Sequence, residues 1–204
     1  MARADTVREL LEAHGQTFCD ELRIPIAKNQ PSALFRWLTA CILYANRIQH
    51  HLATQSAREL SKAGWRTAKA MAEADWDARV KALNAGGFAQ YQERTATILG
   101  DASEHLISEY GGDLRRMREA ADGDVGDLRR RLKVVKGMGD VAVDIFFREA
   151  QEVWDEIHPF ADKLALKAAE RHGLGADAAA IAKHVDRKDY VRLIAALTRD
   201  ELER

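Results

Sequence analysis

Apolar residues recur along this chain at steps of three and four, and no stretch of strand length alternates apolar with polar, so the pattern predicts an all-α fold. The first helix is predicted from Asp5 to Gly15, with Val7, Leu10, Leu11 and His14 on one face. A looser segment follows at Ile24-Pro25-Ile26. Pro31-Ser32 then opens the most apolar helix, Ala33 to about Ala45. Its Leu34, Phe35, Trp37, Leu38, Cys41, Ile42 and Leu43 leave little polar surface, so it is expected to run through the core. A helix from His51 to Lys62 ends at Gly64, and Thr67 and Asp75 are predicted N-caps of two short helices. Gly86-Gly87 stops the second of these. A longer helix runs from Tyr91 to Tyr110 and stops at Gly111-Gly112, and Asp113 and Asp124 cap the next two. An apolar helix is expected from Val141 to about Trp154, and another from Pro159 to His172. Two more, near Asp177–His184 and Lys188–Glu203, close the chain. There is no internal repeat and no low-complexity linker, which argues against two independently mobile domains.

Composition narrows the function classes. The 204 residues carry 31 Lys+Arg against 32 Asp+Glu, a formal net charge of −1. A uniformly basic nucleic-acid binder is excluded, and any such surface has to be a local patch. No run of 18 or more apolar residues is present, and the N-terminal segment lacks the apolar core of a signal peptide. A soluble, cytoplasmic protein is expected. Two cysteines, Cys19 and Cys41, are too few for a zinc or iron–sulfur cluster, and their apolar contexts suggest buried thiols in a reducing compartment. His50 and His51 are adjacent and face different sides of a helix, and His14, His105, His172 and His184 have no partner at ligand spacing. No metal-binding set is expected, and no Ser-His-Asp or Cys-His arrangement is legible.

The sharpest local feature is Leu132-Lys133-Val134-Val135-Lys136-Gly137-Met138-Gly139. A helix enters, two glycines separated by one apolar residue make a tight hairpin, and a second helix leaves. Glycine tolerates positive φ and lets other backbone approach closely. The N–H groups of such a hairpin, with the helix N-terminus after it, suit a phosphate. Arg129, Arg130, Arg131, Lys133 and Lys136 lie in or before it, with no acidic residue between Asp127 and Asp140. The competing reading is a helix–helix turn beside a solvated charged face.

The order of elements resembles the helix-hairpin-helix DNA glycosylase superfamily, the endonuclease III-like group. Val135-Lys136-Gly137-Met138-Gly139 matches the family's hairpin, with Lys136 in place of the usual proline. Ala161-Asp162 matches the acidic pair that opens a later family helix, and Ala169, Arg171 and Gly173 fall in register after it. Upstream, Leu43-Tyr44-Ala45-Asn46 looks like the family's Leu-Ser-Ala-Gln. Gly87-Phe88 through Tyr91-Gln92-Glu93-Arg94-Thr95-Ala96 resembles its Gly-Leu-Tyr-Asn-x-Lys-Ala segment. The resemblance spans about residues 30 to 175.

The resemblance implies a two-lobed fold, with a central lobe at 31–134 and a second lobe joining 1–30 to 135–204. It implies a hydrolase that cleaves the N-glycosidic bond of a damaged or modified base flipped out of double-stranded DNA in base-excision repair. Asp162 is the implied catalytic carboxylate, stabilising positive charge on the sugar as the base leaves. DNA contacts are implied at Gly137, Met138, Gly139, Lys136 and Arg130. Asn46, Gln90 and Tyr91 are candidates to fill the gap left by the flipped base, and Tyr44, Trp154, His158 and Phe160 could wall its pocket. Family members with lyase chemistry carry a lysine at the position of Val141, so a monofunctional enzyme is implied. The family's four-cysteine iron–sulfur site is missing. A monovalent cation held by hairpin carbonyls is compatible with the resemblance, and no side chain signals it. The expected protein is a monomer, nucleoid-associated, with no membrane partner. The alternative is a helix-hairpin-helix protein that binds DNA without chemistry.

Overall fold

The computed structural model describes residues 3–46 and 48–204. Thirteen α-helices and no strand occur among them, so the chain is all-α. In order they are α1 (Arg3–His14), α2 (Phe18–Glu21), α3 (Pro31–Tyr44), α4 (His50–Lys62), α5 (Ala68–Ala72), α6 (Trp76–Ala85) and α7 (Gln92–Tyr110). There follow α8 (Leu114–Ala120), α9 (Val125–Val134), α10 (Asp140–Ala150), α11 (Lys163–Arg171), α12 (Ala178–Ala182) and α13 (Arg187–Leu202). The cap chemistry works as the sequence predicts. The side chains of Thr67, Asp75, Asp113 and Asp124 each accept an N–H from the first turn they open, and Asp177, not among the predicted caps, does the same for α12. Gly111 ends α7 in the left-handed conformation.

Two ends differ from expectation. The apolar helix stops at Ala150 rather than near Trp154. The following helix starts at Lys163 rather than Pro159. After Pro159 the first side chain able to cap the helix comes three residues later, at Asp162. The four-residue α2 is too short to leave a periodic signal and has no counterpart in the sequence reading.

The chain divides into two compact units, one continuous from Ile24 to Phe146, the other joining the residues up to Arg23 with Phe147–Arg204. The division falls after Arg23 and inside α10, not at 30/31 and 134/135. The hairpin belongs with the continuous unit because it packs on that unit's own α3 and α7, at Ile42 and Ile98. In the continuous unit α3 is the core: Leu34, Phe35, Trp37, Leu38, Cys41, Ile42 and Leu43 are all buried. The Trp37 indole Nε1 donates to the Phe146 carbonyl at 3.1 Å, which satisfies the polar end of a fully buried ring. In the discontinuous unit α13 lies against α1 and α11, and Val7, Leu10, Ala165, Ala168, Leu193, Ile194 and Leu197 form its core. The alanines on α11 allow close helix approach. Both cysteines are buried thiols, as expected.

Candidate nucleic-acid interface

The hairpin is built from two buried anchors and an open backbone. Val135 and Met138 are each 1% exposed, and the Met138 N–H donates to the Val135 carbonyl at 3.0 Å, which closes the turn. Gly139 opens α10 by accepting the Val143 N–H at 3.0 Å. The two glycines differ in cause. Gly137 has φ +86°, and a Cβ there would meet Ile98 Cγ2 at 2.6 Å and Ile42 Cγ2 at 3.0 Å, so packing and conformation both demand glycine. Gly139 has no positive φ, and a Cβ built on it would have nothing within 4 Å. The positive φ and close packing expected of the hairpin's glycines are thus found at Gly137. Nothing inside the fold requires glycine at 139.

The N–H groups of Lys136, Gly137 and Gly139 have no acceptor among the described residues. The first turn of α10 adds further N–H groups at its positive end. Val134 and Val141 flank this backbone and are 67% and 61% exposed, the most exposed large apolar side chains among the described residues. Met138 is a buried plug and does not reach outward.

The basic stretch is less basic than it reads. Arg129 pairs with Asp144 at 2.6 Å, and Lys133 with Asp140 at 2.8 Å. Arg131 and Arg130 share Asp127, at 2.6 and 3.2 Å. The hydrogen bond from Arg131 holds the Asp127 carboxyl below the usual carboxylate range. Helical spacing of three and four brings Asp127 onto Arg130 and Arg131, and the hairpin returns Asp140 and Asp144 of α10 to Lys133 and Arg129 of α9. Lys136 has no ion pair among the described residues. As for a monovalent cation, the carbonyls of Val135 and Gly139 already accept N–H groups, and Asp140 is held by Lys133. No group of three or more metal-ligating side chains occurs among the described residues.

The continuous unit also carries four other predicted residues. Asn46 donates its Nδ2 to the Ile42 carbonyl at 2.7 Å and closes the end of α3. Gln90 is exposed and Tyr91 half-buried, at the start of α7. Tyr44 stacks on His50, ring centroids 4.6 Å apart and planes 6° from parallel, with its hydroxyl 2.9 Å from Thr54 Oγ1. Sequence reasoning gave His50 no role, because it opens a different helix, α4, from the one that Tyr44 ends.

In the discontinuous unit Asp162 is the N-cap of α11. Its Oδ1 accepts the N–H groups of Leu164 at 3.0 Å and Ala165 at 3.1 Å. Its Oδ2 accepts Arg148 Nε at 2.6 Å and also Arg148 Nη2. Both side chains are about 5% exposed. The guanidinium packs over the Phe18 ring, 5.0 Å from its centroid. Both carboxylate oxygens are thus engaged, one by backbone and one by a cation that sequence reasoning missed. Beside them Glu149 is fully buried, accepting the N–H groups of Phe18 and Cys19 at 2.5 and 2.7 Å. Burial pushes its carboxyl above the usual range, against the pull of the hydrogen bonds from Cys19 and Phe18.

The discontinuous unit holds the other three aromatic candidates. Trp154 is wholly buried, so its ring cannot face a base. Phe160 packs edge-on against Phe147 at 5.5 Å, and its backbone N–H and carbonyl are both held by the Gln151 amide. His158 stands edge-on to Tyr190 at 4.8 Å, and burial lowers its tendency to protonate. No helix among the described residues is long and apolar enough to cross a membrane. Comparison with family models, curated proteins and solved structures finds no match to this chain.

Proposed function

We propose that this chain binds duplex DNA through its phosphate backbone at residues 135–139. One observation carries the reading: Gly139 is a glycine for which the fold has no use, beside N–H groups that have no acceptor. A residue this small with open space around it suits close approach by a group from outside. The donors beside it suit an oxyanion, and the exposed Lys136 adds charge. Such a contact positions the protein on DNA without reading sequence. Binding is therefore expected to be similar for all duplexes and to weaken steeply with salt. Fluorescence anisotropy on two unrelated duplexes over a salt series tests this. Salt-independent binding, or none at low salt, would sink it.

Base excision is the second reading. It is favoured by Asp162 standing at the first turn of α11, in the register of the acid in the glycosylase family the sequence resembles. It is opposed by Arg148, which compensates the charge a positively charged sugar would need. Excision thus requires Arg148 to leave Asp162. A panel of duplexes with one lesion each, treated with alkali after incubation, detects base release. Under this reading release falls on the order of a hundredfold in Asp162→Asn with DNA binding retained. No release from any duplex leaves the binding reading alone.

A further inference from the structure

A second phosphate-type site is offered by a surface cavity of about 230 Å³ within the discontinuous unit. It is lined by Arg3 of α1, Lys183 and His184 beyond α12, and the loop Gly173-Leu174-Gly175. No carboxylate lines it. The side chains of Arg3 and Lys183 make no ion pair or hydrogen bond among the described residues, whereas Arg171, Arg187, Arg192 and Arg199 of the same unit each hold a carboxylate. Both cations line one cavity that holds no carboxylate, so an anion there meets two positive charges.

The loop is shaped for the same purpose. His184 Nε2 and the Leu174 carbonyl are 3.0 Å apart, so the ring N–H ties the loop to the end of α12. Gly175 has φ +120°, and a Cβ there would meet Ala180 Cβ at 2.5 Å, so glycine is needed to bring the loop this close. The Gly175 N–H has no acceptor among the described residues. At Gly173 the space where a Cβ would stand is open, which leaves room in the cavity. The volume lies below the roughly 300–1,000 Å³ of pockets for drug-sized ligands, so a single phosphate group fits better than a whole nucleotide.

We infer that this cavity binds a phosphate group between Arg3 and Lys183, supplied either by a DNA backbone or by free phosphate. The test is amide NMR of the full chain during titration with inorganic phosphate, with chloride at matched ionic strength as control. The Gly175 and Gly173 signals are expected to shift and saturate with phosphate. In Arg3→Gln/Lys183→Gln the apparent affinity read at Gly175 is expected to fall about tenfold or more, with helical circular dichroism unchanged. A repeat with a short duplex separates the sources. A Gly175 shift with DNA that the double variant abolishes assigns a backbone phosphate, and a shift with inorganic phosphate alone assigns the free ion. Signals that stay still, that move equally with chloride, or that saturate unchanged in the double variant would overturn the site. The Gly137 and Gly139 signals report on the hairpin separately, so the two proposals can fail independently.

Discussion

The hairpin and the start of α11 treat their polar groups in opposite ways. At 135–139 the Val135 and Met138 side chains are inside, and the N–H groups of Lys136, Gly137 and Gly139 have no acceptor among the described residues. At Asp162 the backbone N–H groups are satisfied and the functional candidate, a carboxylate, is closed off by Arg148. Unpaired donors on a rigid turn are ready for a ligand without rearrangement. A buried, paired carboxylate has no chemistry until its partner moves. The contrast favours binding over catalysis as the chain stands.

The largest effect is expected from breaking the closed region. Arg148→Ala leaves the Asp162 carboxylate buried without its cation, and removing one partner of a buried pair costs about 3–5 kcal/mol. Urea denaturation checks this. A loss below about 1 kcal/mol would mean that Asp162 is not closed off in solution, and base excision would then become the stronger reading.

The two glycines give the next contrast. Gly137→Ala meets a positive φ and two isoleucine side chains, and is expected to cost about 1–3 kcal/mol of stability. Gly139→Val has room for its Cβ and is expected to stay within roughly 0.5 kcal/mol of the parent. Its affinity for every duplex should nonetheless fall about tenfold, ~1.4 kcal/mol, because the new side chain covers the open backbone. Melting temperature and anisotropy on the same proteins separate the two. Gly139→Val binding DNA like the parent would remove the hairpin as the anchor.

Much of the helical fold was legible. The aspartate and threonine caps, the apolar run through α3 and the glycine stops are local signals, and local signals are what periodicity reads. What was hidden depends on contacts between distant segments. Arg148 reads as a polar residue interrupting the apolar face of α10, and only the turn at 151–161 returns Asp162 to it. Trp154 reads as an exposed-pocket aromatic, but it follows the end of α10 and is buried. The hairpin was legible because its two glycines lie two positions apart in sequence. Their different causes were not, since Ile42 and Ile98, which decide Gly137, lie 95 and 39 residues away.

The smallest effect concerns the charges beside the hairpin, and it refines what open means there. Lys136 has no ion pair among the described residues, so a phosphate can take its ammonium without displacing anything. Arg130 is 71% exposed but shares Asp127 with Arg131, so its guanidinium is already partly compensated. A phosphate contact by Arg130 has to compete with that carboxylate. Each phosphate neutralised adds about 0.9 to the slope of log affinity against log salt. Lys136→Ala is therefore expected to lower that slope by about one, uniformly across duplex sequences. Arg130→Ala is expected to change it by less than half as much. Asp127→Asn supplies the converse, because it loosens both arginines and should raise DNA affinity modestly at low salt. Equal slopes for the parent and Lys136→Ala would show that the hairpin's N–H groups act without a neighbouring cation. A full unit lost in Arg130→Ala would show that DNA outcompetes Asp127, and that the paired arginines belong to the interface after all.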